Sequence, residues 1–205
     1  MKVLGIYGSP RKGGNSDQLL DKVLEGAQSA GAEVKRIYAR DLKISGCQEC
    51  GGCEKTGKCV VNDEMQTVYP LLEEADVIFL ASPIFFYGLT AQIKAIVDRA
   101  QAMWSKKMLK ARAGKGGTSL RGRGYLVAVG ATRGKNLFEG AQLTARYFFD
   151  ALEMSYEGGL PPGGWSKTVM HLFIPVFHNL STLLHKLQFF RISNALPLTI
   201  FQKQP

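Results

Sequence analysis

Apolar residues recur along this chain in two rhythms. Short runs of strand length occur at 2–7 (KVLGIY), 33–39 (EVKRIYA), 75–81 (ADVIFLA) and 124–130 (GYLVAVG). The third and fourth are continuously apolar, as strands covered on both faces of a sheet are. Between the runs, apolar positions fall at helical spacing, with Leu19, Leu20, Val23, Leu24 and Ala27 marking a helix over 16–30. Further helices are predicted over 63–74, starting at an Asp63 cap, over 90–104, with Thr90 as cap, and over 136–150. Residues 153–157 supply a fifth strand, and the basic, glycine-rich stretch 105–123 reads as a mobile loop. Strand and helix alternate and no repeat is visible, which predicts an α/β chain with an open, doubly wound, five-stranded parallel sheet.

In such a sheet ligands bind beyond the carboxyl ends of the strands, near the point where strand order reverses. Three loops should meet there. The first, Gly8 to Ser16, offers Ser9, Arg11, Lys12, Asn15 and Ser16 at a helix N-terminus. Free amides and the helix dipole favour an anion at such a place. No Gly-Lys-Ser/Thr follows, which argues against a nucleoside triphosphate and for a monophosphate. The second loop carries Pro83, Ile84, Phe85, Phe86 and Tyr87 just past a strand end. Three consecutive aromatics there cannot all point into a core, and a flat, partly apolar ring would use them. The third, with Gly130, Thr132 and Arg133, is placed to close over the same ring.

All four cysteines, Cys47, Cys50, Cys53 and Cys59, fall in one loop at 46–60 with C-x2-C-x2-C-x5-C spacing. A disulfide framework spreads its cysteines, and structural zinc separates two knuckles by a longer finger. Two consecutive x2 gaps suit a cubane [4Fe–4S] cluster, whose irons sit close together. Bound zinc and a metal-free thiol loop remain the alternatives.

GSPRKGGNS, CQECGGCEKTGKCVVNDEM, ASPIFFYGLTAQIKAIVDR and the loop after the fourth strand occur in that order. Together they resemble the iron–sulfur flavoproteins of the NAD(P)H-dependent FMN reductase family, over roughly residues 1–157. The resemblance implies a flavodoxin-like fold, with Ser9, Arg11, Asn15 and Ser16 on the FMN phosphate and residues 83–87 flanking the flavin. It implies that the four cysteines ligate the cluster, and that the chain forms a homo-oligomer with the flavin near a subunit interface. The function expected is an FMN-dependent oxidoreductase moving electrons from NAD(P)H or a ferredoxin to a small-molecule or protein acceptor. No side chain need act as acid or base. An FMN-only reductase of flavin or quinone with free thiols, and a non-catalytic flavodoxin-type carrier, are the alternatives.

Composition changes the picture in two places. The 205 residues carry a formal charge of +9, but the basic residues are dispersed and no nucleic-acid motif accompanies them. A field attractive to anionic cofactors is the more economical reading, and no nucleic-acid partner is expected. No apolar run is long enough to span a membrane, no signal peptide is evident, and clustered cysteines favour a reducing cytoplasm. The second change comes after Glu157. Residues 158–205 contain no acidic residue, hold all three histidines (His171, His178 and His185), and are interrupted by Pro161, Pro162, Pro175 and Pro197. This stretch is either a genuine tail or the product of a shifted reading frame, and metal binding by its histidines is not expected.

Overall fold

The computed structural model describes residues 1–115, 120–132 and 134–158. Strands β1 (Lys2–Tyr7), β2 (Glu33–Tyr38), β3 (Val77–Pro83), β4 (Gly122–Val129) and β5 (Met154–Tyr156) form one sheet of order β2-β1-β3-β4-β5. Every pairing is parallel. The helices are α1 (Asn15–Ser29), α2 (Met65–Glu74), α3 (Ala91–Arg99), α4 (Gln101–Arg112) and α5 (Glu139–Ala151), with one 3-10 turn at Ala39–Asp41. The predicted doubly wound sheet is the observed one.

Alternation along each strand sorts the core onto two faces. Val3, Tyr7, Val77, Phe79, Tyr125 and Val127 pack with Leu20 and Leu24 of α1. Leu4, Ile6, Ile78, Leu80 and Leu126 pack with Leu72, Ile93, Ile96, Phe148 and Phe149 of α2, α3 and α5. Each of these buried side chains contributes roughly 1.5–3 kcal/mol of transfer free energy.

Two expectations are corrected. The run over 90–104 is two helices that meet at Ala100. In an unbroken helix the Arg99 carbonyl would accept the Met103 amide. Here it accepts the Tyr69 hydroxyl at 2.9 Å, and Met103 N–H turns to the Ala100 carbonyl. A side chain inserted into the ladder breaks it. The expected loop 105–123 is also helical as far as Arg112. Three of its lysines are paired: Lys106, Lys107 and Lys110 meet Glu73, Asp150 and Glu153 at 2.7–2.8 Å. Good helix formers prevailed over a basic composition that suggested a loop. The tail 159–205, its histidines and residues 116–119 lie outside the described residues.

Candidate functional site

Strands β1, β3 and β4 are neighbours, so the loops at their carboxyl ends lie side by side. The first begins at Gly8, whose amide donates to the Ala81 carbonyl at 2.7 Å. A Cβ on Gly8 would stand 2.6 Å from that oxygen and 2.7 Å from Ile93 Cδ1, so only glycine fits the approach. Ser9 is buried; its hydroxyl donates to the Arg11 carbonyl and accepts the Arg11 amide, folding the loop on itself. Ser16 is buried too, whereas Arg11, Lys12 and Asn15 are exposed. The first intrahelical bond of α1 runs from Gln18 N–H to the Gly14 carbonyl, leaving the amides of Asn15, Ser16 and Asp17 ahead of it.

Asp17 was not anticipated. It is 3 % exposed, on the buried face of α1. Its Oδ2 accepts the amide of Gly13, a residue at φ 68°, and a guanidinium N–H of Arg40 at 2.8 Å. The same Arg40 nitrogen donates to the Ser9 carbonyl at 3.2 Å, and its guanidinium lies over the Tyr38 ring. An acid and a base from two elements thus set the loop's curvature. The Asp17 Oδ1 has no hydrogen-bond partner among the described residues.

The second loop is a tight turn in which Phe85 and Gly88 exchange both backbone hydrogen bonds. Phe86 and Tyr87 occupy its centre at φ 48° and 63°. Bulky side chains are rare in this left-handed region, and such strain concentrates where backbone shape serves a ligand. The rings are not core: Phe85 and Tyr87 are half exposed and Phe86 wholly so. Pro83 and Ile84 are half buried. The Ile84 amide bonds the Val129 carbonyl, carrying β3–β4 pairing up to the turn.

In the third loop Gly130 is half buried and Thr132 exposed, while Arg133 lies outside the described residues. The Tyr87 hydroxyl comes so near Gly134 that a Cβ there would stand 2.2 Å from it. The second and third loops therefore touch. The first is tied to them by Thr90, whose amide donates to the Ser82 hydroxyl and whose own hydroxyl donates to the Gly8 carbonyl.

The cysteines lie on the loop leaving β2. Cys47 and Cys50 are exposed, Cys53 and Cys59 half buried, and all four are free thiols. Cys53 Sγ lies 3.4 Å from the Ser105 hydroxyl of α4. No three Cys, His, Asp or Glu among the described residues are grouped closely enough to hold a metal ion. The four thiols are the right donors for a cluster, but they are not gathered as one would require.

Arg99 was also missed. Its side chain is 1 % exposed and forks onto both oxygens of Asp63 at 2.7 and 3.1 Å. Burial raises the Asp63 carboxyl, but the Arg99 hydrogen bond and the amides of Ser45 and Met65 outweigh it and hold its pKa at about 2. Asp63 does bond the Met65 amide at 3.0 Å, but α2 itself opens two residues beyond the expected start. Burial, with the neighbouring Cys59, pushes the Tyr69 phenol up.

Against known proteins, the family described as NADPH-dependent FMN reductase matches residues 1–156. The chain belongs to that family. Its iron–sulfur flavoproteins include one from Archaeoglobus fulgidus, 40% identical over 114 residues, which are 56% of this chain and 52% of the relative. Another, from Methanocaldococcus jannaschii, is 34% identical over 175 residues, or 82% of this chain and 83% of the relative. The chain thus spans about half the length of some curated relatives, the first of these among them, and most of others. A solved NADH:FMN oxidoreductase structure superposes with a TM-score of 0.58 at 14% identity, covering 96% of this chain and 91% of that one. This last likeness concerns the fold alone, which this chain shares with flavodoxin-like members of the FMN reductase family. No described helix is long and apolar enough to cross a membrane.

Proposed function

We propose that this chain is an FMN-dependent oxidoreductase, moving electrons from a reduced nicotinamide or a ferredoxin to a small-molecule or protein acceptor. The observation that carries the reading is the pairing of an anion cradle with an exposed aromatic turn on adjacent strand ends. Residues of this structure fit FMN in two respects. The amides ahead of α1, with Arg11 and Lys12 exposed beside them, suit a phosphate. The rings of Phe85, Phe86 and Tyr87, outside the core, suit a flat ring system.

Bound FMN supplies the hydride and single-electron chemistry. The chain supplies binding and orientation. Ser9 and Asp17 fix the shape of the cradle, Arg11 and Lys12 offset phosphate charge, and the Tyr87 contact with Gly134 fixes the turn against the third loop. Thr132 and Gly130 border the same place. Among the described residues no side chain is assigned a proton-transfer role.

Cys47, Cys50, Cys53 and Cys59 are proposed as cluster ligands, supported by the iron–sulfur flavoprotein relatives and by the cysteine spacing. The second reading is an FMN-only reductase with free thiols, in which Cys53 keeps its contact with the Ser105 hydroxyl. The proposal extends to a homo-oligomer. Arg11→Glu tests the cradle: FMN affinity should fall at least tenfold by fluorescence titration, and unchanged affinity would refute the placement.

A further inference from the structure

The cysteine loop is open in its middle but closed at its neck. Arg99 Nη1 donates to the Ser45 carbonyl at 3.1 Å and to Asp63 Oδ2 at 2.7 Å. Its Nη2 donates to the Val61 carbonyl at 3.3 Å and to Asp63 Oδ1 at 3.1 Å. The Ser45 amide and hydroxyl also donate to Asp63 Oδ2, and Gln66 Nε2 reaches the Val61 carbonyl at 2.7 Å. One guanidinium therefore joins the residues before Cys47 to those after Cys59. Between them, Glu49, Gly51 and Gly57 take left-handed backbone, and Gly57 lies against Lys106 of α4.

A buried arginine is a costly way to fill a core position that an apolar residue could take. The Arg99 Nε has no hydrogen-bond partner among the described residues, and the other guanidinium bonds all go to the neck. Packing alone does not account for that choice. We infer that Arg99 is a positioning residue for the thiol loop, closing its neck so that gathering the four cysteines moves only the span between Ser45 and Val61. Closing the neck in advance removes chain entropy that ligand assembly must otherwise overcome. The same helix α3 is held at its start by Thr90, bonded to the Gly8 carbonyl of the cradle. Nine residues of helix, about 13 Å at 1.5 Å per residue, thus separate the neck of the thiol loop from the cradle.

The inference rests on the proposed function for what the thiols hold, but the neck can be tested without any metal. Lys55 and Lys58 lie inside the loop and are exposed, so trypsin reports its opening. The full chain, freed of metal and supplied with FMN, is compared with Arg99→Lys, Arg99→Met and Asp63→Asn. Cleavage at Lys55 and Lys58 should rise at least tenfold in both Arg99 variants, because a single ammonium cannot bridge Ser45, Val61 and Asp63 together. Asp63→Asn, which keeps shape and loses charge, should give a smaller rise of at least threefold and guards against misfolding of the Arg99 variants. FMN affinity should stay within threefold throughout. Loading with ferrous ion and sulfide should leave the Arg99 variants with less than half the iron of the parent. Loop cleavage within twofold of the parent in variants that bind FMN overturns the inference. So does loss of FMN binding in Asp63→Asn with cleavage throughout the chain, which marks a purely structural role. A parent chain that takes up no iron defeats the cluster reading alone, while the cleavage rates still decide the clamp.

Discussion

Asp17 and Arg99 both stand in line with apolar residues of their helices. Asp17 precedes Leu20 and Leu24 on the buried face of α1, and Arg99 follows Ile93 and Ile96 on that of α3. A charge on an apolar stripe must find a partner or pay heavily in desolvation, and each finds one on another element. The signal was present in the spacing, but the partners, Arg40 and Asp63, are set by tertiary structure and were not legible. Arg40→Met would leave Asp17 buried and unpaired, so urea unfolding should show a loss of about 3 kcal/mol, with weaker FMN binding beside an uncompensated acid. Phe86 offers the converse test. Its ring is fully exposed and its φ is 48°, so Phe86→Gly should leave stability within about 1 kcal/mol by thermal melting. If the ring flanks the flavin, the same variant should bind FMN several-fold more weakly.

Elements were legible where periodicity was strong. β1 and β3 read clearly because their residues are apolar and short-run, and α1 because Leu20 and Leu24 recur at helical spacing. The break at Ala100 was not legible, since it depends on a Tyr69 hydroxyl thirty residues away in sequence. Tyr69→Phe should cost about 1 kcal/mol and lengthen protection of the Met103 amide in hydrogen exchange. The start of α2 carries a pH dependence. The Asp63 carboxyl has a lowered pKa in the fold, so its contribution is complete above the unfolded value of about 4. It is lost as pH falls toward about 2. Stability measured from pH 4 down to 2 should therefore fall more steeply in the parent than in Asp63→Asn, and this group should add no slope between pH 5 and 8.

At the scale of the molecule, one sheet brings three loops from distant parts of the chain to neighbouring strand ends. Their meeting was legible from topology, because parallel doubly wound sheets gather such loops near the switch point. Their detail was not: a left-handed turn at Phe86 and Tyr87, a hydroxyl of Tyr87 against Gly134, and a cysteine loop tied at its neck by Arg99. These depend on contacts that spacing does not encode. The most direct measurement is anaerobic: purify the chain, release and quantify flavin, and follow the bound chromophore during titration with NADH, NADPH and a reduced ferredoxin. About one FMN per chain is expected, bleached stoichiometrically by a reduced nicotinamide or by reduced ferredoxin. A well-folded chain that binds no FMN, or whose FMN none of these donors reduces, would contradict the proposed function.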